Sequence, residues 1–99
     1  MKALSGYRVM WVMAFFDLPV GTKQERKRAT DFRNFLLDEG FERVQFSVYV
    51  RFTKGKEQVA ALMRRIGTAV PPDGKVDLIA FTDRQYEQIV SYRGRRDEK

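Results

Sequence analysis

Asp17 closes the hydrophobic run Val9-Met10-Trp11-Val12-Met13-Ala14-Phe15-Phe16 and is followed at once by Leu18-Pro19-Val20-Gly21. A carboxylate at the C-terminal end of a strand stands where rigid backbone meets an exposed loop, and ligands of α/β architectures often gather there. The ion it suits is hard and octahedral, Mg²⁺ or Mn²⁺, which takes one or two carboxylates and completes its shell with water and substrate phosphates. One Asp alone is a poor metal site. A twofold pair of chains could set two copies of Asp17 across one cleft and make a site that neither chain has alone. The plainer reading is that Asp17 only opens a turn, as Asp often does before Pro or Gly.

The chain has no His and no Cys. That excludes an imidazole base, a Ser-His-Asp triad, a thiolate nucleophile, disulfides, and zinc or iron–sulfur sites built on those ligands. Hydrolysis, if the chain performs any, must rely on carboxylates with a hard cation, or on substrate-bound water. No phosphate-loop, dinucleotide or EF-hand motif occurs.

Basic side chains form the second group with chemical potential. Lys and Arg number 19 against 13 acids, a net charge of +6, with a pI near 9.9. Such an excess favours a polyanionic partner, nucleic acid first among them. Lys23, Arg26, Lys27, Arg28 and Arg33 lie among Glu25, Asp31, Asp38 and Glu39 in a stretch with helical periodicity. At about 100° per residue, Arg26 and Arg33 fall together and Lys23 stands about 60° away, a stripe able to follow phosphates. Arg28 projects onto the apolar side, between Phe32 and Phe35, and must snorkel or meet an anion there. Arg93, Arg95 and Arg96 offer a further phosphate contact in a charged tail, 93–99, expected to be flexible. A merely solvated face and a solubilising tail are the plainer alternatives. Phe46, Tyr49 and Phe52 are candidates for base stacking, but aromatics at strict alternation are more often core, and the RNA-recognition signature is missing.

The elements that position these residues follow from periodicity. The run ending at Phe16 reads as a central strand covered on both faces. Thr22-Lys23-Gln24-Glu25 has the form of a capping box, and Gly40 supplies a left-handed helix end; between them Ala29, Phe32, Phe35 and Leu36 mark one apolar face, so the pattern predicts a helix over 22–39. Arg43–Phe52 alternates strictly and, from pattern alone, reads as one long strand, because no Asn-Gly or Gly-rich turn interrupts it. Lys56–Ile66 returns to helical spacing. Gly67–Gly74 reads as a loop, Val76–Phe81 as a strand, Thr82-Asp83 as the cap of one helical turn, and Gln88–Tyr92 as a last short strand.

At 99 residues, 13% aromatic and 32% charged, the chain has the material for one globular domain, 1–99. Its longest apolar run, Val9–Phe16, falls far short of the ~20 residues that span a bilayer, and Met1–Tyr7 lacks a signal-peptide pattern, so a soluble cytoplasmic protein with no membrane partner is expected. Strands and helices in this order predict an α+β sandwich with helices on one face of the sheet. The other face is then bare, and a homodimer through the sheet covers it most simply, the plainer alternative being that Trp11 and Met13 merely add to one core.

Several stretches combine into one pattern: Phe16-Asp17-Leu18-Pro19, Phe35-Leu36-Leu37-Asp38-Glu39-Gly40-Phe41, Val44-Gln45-Phe46-Ser47-Val48-Tyr49, and Thr82-Asp83-Arg84-Gln85-Tyr86 followed by Ile89. Over nearly the whole chain this combination resembles the small CRISPR-associated endoribonuclease family that partners the integrase in spacer acquisition. Its short loops and compact C-terminus look most similar to members from type II systems. The resemblance implies a ferredoxin-like βαββαβ fold, in which Phe46-Ser47 is a tight reversal between two strands. It implies a homodimer in which a C-terminal strand around Gln88–Tyr92 adds to the partner's sheet. Asp17 matches the family's Mg²⁺-binding acid, with two copies facing each other. Phe16 stands where many members have Tyr, so no hydroxyl is available there. Arg26, Arg28 and Arg43 match basic positions linked to nucleic-acid handling, and Ser47 and Tyr49 match the Ser and aromatic of the Gln-containing motif.

By the same resemblance, the dimer bridges two integrase dimers and holds duplex prespacer DNA, while the integrase performs strand transfer. Free members have been assigned metal-dependent endonuclease activity on RNA or DNA. Two functions from different classes are therefore expected: a metal-dependent endonuclease built on Asp17, and a binding module whose Lys23, Arg26, Arg33 and C-terminal arginines neutralise phosphates. A third reading is a non-catalytic ferredoxin-like nucleic-acid-binding module unrelated to CRISPR.

Overall fold

A computed structural model describes residues 9–95. The expected tail at 93–99 therefore lies partly outside the described residues, and Arg96 wholly so. The elements run β1 (Met10–Asp17), α1 (Lys23–Asp38), β2 (Glu42–Gln45), β3 (Val48–Thr53), α2 (Lys56–Ala69), β4 (Lys75–Thr82) and α3 (Asp83–Glu87). The sheet order is β2-β3-β1-β4, with every neighbouring pair antiparallel. This is the βαββαβ order of a ferredoxin-like α+β sandwich, as expected. β1, the most apolar segment, is central, flanked by β3 and β4.

Local chemistry fixes the helix ends. The Thr22 side chain accepts a hydrogen bond from the Glu25 amide at 3.0 Å, and Glu25 Oε1 accepts from the Thr22 and Gly21 amides at 3.0 and 2.9 Å. Gly40 follows α1 at φ +93°, a left-handed conformation that side chains rarely adopt. Thr82 and Gln85 build a second capping box for the short α3. α2 runs to Ala69, three residues beyond the periodic stretch, and shortens the expected loop accordingly.

The alternating segment 42–53 is two strands, not one. Gln45 pairs with Val48, leaving Phe46-Ser47 as the two-residue reversal that the family resemblance implies. Neither residue has positive φ, so the reversal is not the Gly-dependent hairpin turn that sequence patterns reveal. The register shifts between Arg43 and Gln45, a local irregularity in the β2–β3 ladder.

Sheet register divides the side chains into two layers. Met10, Val12, Ala14 and Phe16 point toward the helices and are buried with Ala29, Phe32, Leu36, Tyr49, Leu62 and Ile66. Thr53 is the one buried polar side chain of the described core, and its hydroxyl donates to the Met10 carbonyl at 2.9 Å. The opposite layer carries Trp11, Met13, Phe15 and Asp17 of β1, Val48, Val50 and Phe52 of β3, and Lys75, Asp77, Ile79 and Phe81 of β4. No helix of α1 or α2 type covers it; Phe15, Phe52 and Ile79 remain 40, 46 and 49% exposed. Among the described residues only α3 reaches this side, where Tyr86 stacks on Trp11 with ring centroids 3.9 Å apart and planes 8° apart. Tyr49 is core, as alternation suggests, but Phe46 (67% exposed) and Phe52 are not. Phe52 faces the uncovered layer, and Phe46 sits in the reversal.

Residues 88–92, expected as a last strand, form no strand within the chain. Ile89, Val90 and Tyr92 are exposed there. Among the described residues no helix is long and apolar enough to cross a membrane.

Candidate metal and nucleic-acid site

Asp17 ends β1 with its side chain exposed on the uncovered layer. The residue before it and the residue after it are both locked. Phe16 points the opposite way, into the core, with its ring 5.2 Å from Phe32 and 5.6 Å from Tyr49. Its amide donates to the Ser47 carbonyl at 3.2 Å, tying the β2–β3 reversal to the end of β1. Leu18 is buried and packs against Gly74, where an added Cβ would lie 2.6 Å from Leu18 Cδ2. Asp17 is thus an exposed acid on a backbone anchored at both neighbours.

Lys75 stands opposite Asp17 in the β1–β4 register. It forms an ion pair with Asp77 at 3.7 Å instead, and Asp17 takes part in no ion pair among the described residues. No group of three or more Asp and Glu residues able to hold a metal occurs among them either. The donor set fits a hard divalent ion in one respect, a free carboxylate oxygen pair, and is incomplete in another. One chain supplies one acid, so a stable site needs donors from outside it.

The basic candidates separate into two groups. Lys23 begins α1 and is exposed. Arg26 reaches back from the first turns of α1, donating from Nη1 to the Val20 and Gly21 carbonyls at 3.3 and 3.5 Å. Both therefore stand at the loop that leaves Asp17. Arg28 is half-buried on the apolar flank, as its helical projection requires, and makes no ion pair among the described residues. Arg33 does not continue a stripe with Arg26. Its guanidinium lies over the Phe46 ring, 4.8 Å from the centroid, with Arg43 at 5.9 Å. Arg93 and Arg95 are exposed beyond α3.

Tyr49 and Phe16 serve the core rather than a ligand, and Ser47 contributes through its backbone carbonyl. Two features had no signal in residue patterns. Lys75 faces Asp17 only through strand register. Glu39 joins Arg65 through hydrogen bonds as short as 2.8 Å and approaches Arg51 at 4.0 Å, across three elements. Phe46, already a stacking candidate from its residue type, proves exposed because it sits in the reversal. A cleft of about 160 Å³ lined by Trp11, Gly40, Glu42, Val50, Arg51 and Phe52 lies toward the other end of β1, six residues or about 20 Å from Asp17.

A family model described as CRISPR associated protein Cas2 matches residues 10–89. A CRISPR-associated endoribonuclease Cas2 from Paracidovorax avenae is 55% identical over 92 residues, covering 93% of this chain and 85% of that protein. One of the same description from Flavobacterium psychrophilum is 40% identical over 93 residues, covering 94 and 81%. Among solved structures, Streptococcus pyogenes Cas2 superposes with a TM-score of 0.63 at 17% identity, covering 85% of this chain and 99% of that one. A second Cas2 crystal structure superposes with a TM-score of 0.60 at 22% identity, covering 92 and 95%. At these identities the structural likeness concerns the fold.

Proposed function

This chain belongs to the Cas2 family of CRISPR-associated proteins, and we propose that it acts in spacer acquisition as a homodimer that binds prespacer DNA and bridges integrase dimers, with divalent-cation-dependent phosphodiester cleavage at paired Asp17 side chains. Family membership sets aside a nucleic-acid module unrelated to CRISPR. The observation that supports the proposal best is the position of Asp17, exposed and without an ion pair among the described residues, on the same sheet layer as the uncovered Phe15, Phe52 and Ile79.

A second copy laid against that layer removes these apolar side chains from water and brings a second Asp17 toward the first. Burial of apolar area stabilises such a pair at roughly 25 cal/mol per Å² before the cost of association. The exposed segment Ile89–Tyr92 extends from α3, which packs on this same layer, and is proposed to add to the partner's sheet.

A cation held by the two carboxylates, Mg²⁺ or Mn²⁺, would supply charge stabilisation at a phosphodiester and a more acidic bound water. The chain's own contributions are positional. Phe16 and Leu18, fixed in the core on either side, hold the Asp17 backbone still. Lys23 and Arg26, at the loop that follows, neutralise phosphates. The name endoribonuclease carried by the relatives supports the cleavage half of the proposal.

The test is Asp17→Ala in the purified dimer. Mg²⁺-dependent cleavage of RNA and DNA is lost, while duplex affinity and its salt dependence persist, with a log–log slope of about −0.9 per phosphate contacted. Cleavage that survives the substitution removes Asp17 from the chemistry. A flat salt response removes the phosphate-binding role, and a chain monomeric at all working concentrations removes the shared site.

A further inference from the structure

We propose that Phe46, with Arg33 and Arg43, forms a stacking site for an unpaired nucleotide, separate from the Asp17 site and from the duplex-binding surface. This rests on the reading of the chain as a nucleic-acid-binding protein, but not on the metal chemistry of Asp17.

Phe46 is 67% exposed at the tip of the β2–β3 reversal, where no core contact requires an aromatic. The Arg33 guanidinium lies 4.8 Å from its ring centroid and that of Arg43 5.9 Å. Arg33 Nε is buried and has no hydrogen-bond partner among the described residues, so it is closed to a ligand as well, and any contact with a phosphate falls to the Nη groups of the guanidinium that lies over the ring. An exposed ring beside two delocalised cations is the chemistry that holds single-stranded nucleic acid. The π-face and the guanidinium planes stack bases, and the positive charge holds the adjoining phosphate. A duplex offers no free base face at its sides, so its contacts would be limited to phosphates.

Placement keeps the cluster available in a dimer. Arg43 pairs with Tyr49 and so points to the helix-bearing side of the sheet, and Arg33 comes from α1 on that side. A second copy covering the opposite layer leaves all three residues open. β2 is also an edge strand, so no further strand among the described residues lies beyond them. The Ser47 carbonyl bond to the Phe16 amide holds the turn beside the end of β1. A strand whose paired part lies over the dimer can thus place an unpaired base at the flank.

The experiment measures fluorescence anisotropy of short oligo-dT, oligo-U and a blunt DNA duplex of equal length, with wild-type protein, Phe46→Ala and Phe46→Trp. Phe46→Ala weakens both single strands by about five- to a hundredfold, the effect of losing one base–aromatic stack. It leaves blunt-duplex affinity unchanged, and Phe46→Trp restores single-strand binding. An equal loss on duplex and single strand, or no loss on either, overturns the stacking site, as does competition by polyglutamate that matches oligo-dT at equal charge. Wild-type protein that binds none of the three probes overturns the nucleic-acid reading itself. The Phe46→Ala effect persists in an Asp17→Ala background, which separates this site from the metal site.

Discussion

Lys75 lies directly across the β1–β4 ladder from Asp17, yet its ammonium goes to Asp77, two residues along its own strand, at 3.7 Å. Asp77 thereby draws away the nearest cross-strand cation and leaves the Asp17 carboxylate open to another one. Asp77→Asn releases Lys75 toward Asp17, where it competes with a divalent ion. At the cation site proposed for paired Asp17 carboxylates, Mn²⁺ affinity, read by calorimetry, is expected to fall about two- to fivefold, the scale of an exposed ion pair. Adding Lys75→Ala restores it.

The chain has one Trp, at position 11, and its environment reports on α3. Trp11 Nε1 donates to Asp83 Oδ1 at 2.8 Å, Tyr86 stacks on the indole at 3.9 Å, and Phe52 meets it edge-on at 5.5 Å. Tyr86→Ala removes the stack and lets α3 lift from the sheet. The expected loss is about 1–2 kcal/mol of stability, measured by urea unfolding, together with a red shift of Trp emission in the folded protein.

Gly74 approaches Leu18 too closely for any side chain. A Cβ there would lie 2.6 Å from Leu18 Cδ2 and 3.2 Å from the Pro71 carbonyl oxygen. Leu18 is buried and cannot simply swing aside. Gly74→Ala is expected to cost about 1–3 kcal/mol and, because Leu18 adjoins Asp17, to lower cation affinity as well. Thermal unfolding and Mn²⁺ titration read the two effects separately.

Glu39 gives a pH dependence of known sign. The Arg65 hydrogen bond holds its carboxyl below the ordinary value of 4.5, against a smaller upward push from partial burial. A lowered folded-state value means stabilisation that is fully present above about pH 4.5 and lost as the pH falls through the folded value. Glu39→Gln should therefore lower the melting temperature at neutral pH, and its melting curve should converge with that of the wild type in acid.

Some of this was legible in residue order and some was not. α1 was readable because a capping box and a terminal Gly bracket an apolar stripe, and β1 because its short apolar run ends in turn residues, although helices cover one of its faces and not the other. The β2–β3 reversal escaped the alternation pattern for a definite reason. A loop of two residues leaves period two in phase, so Val44, Phe46 and Val48 continue the rhythm across a change of strand. The motif around Gln45 revealed what periodicity could not. The place of Asp17 at a strand end was readable, whereas Lys75 as its neighbour was not, since cross-strand neighbours depend on register. The projected Arg26–Arg33 stripe dissolved because side chains this long follow local acceptors and rings rather than helical angle.

The connection leaving Asp17 is stapled at each end, by Leu18 in the core and by Glu25 Oε1 on the Gly21 and Thr22 amides. Val20 between them is 51% exposed, and Arg26 grips its carbonyl rather than its side chain. Mutational drift at Val20 is thereby decoupled from the acid: sequence can wander at the crest of the loop while the carboxylate keeps its aim.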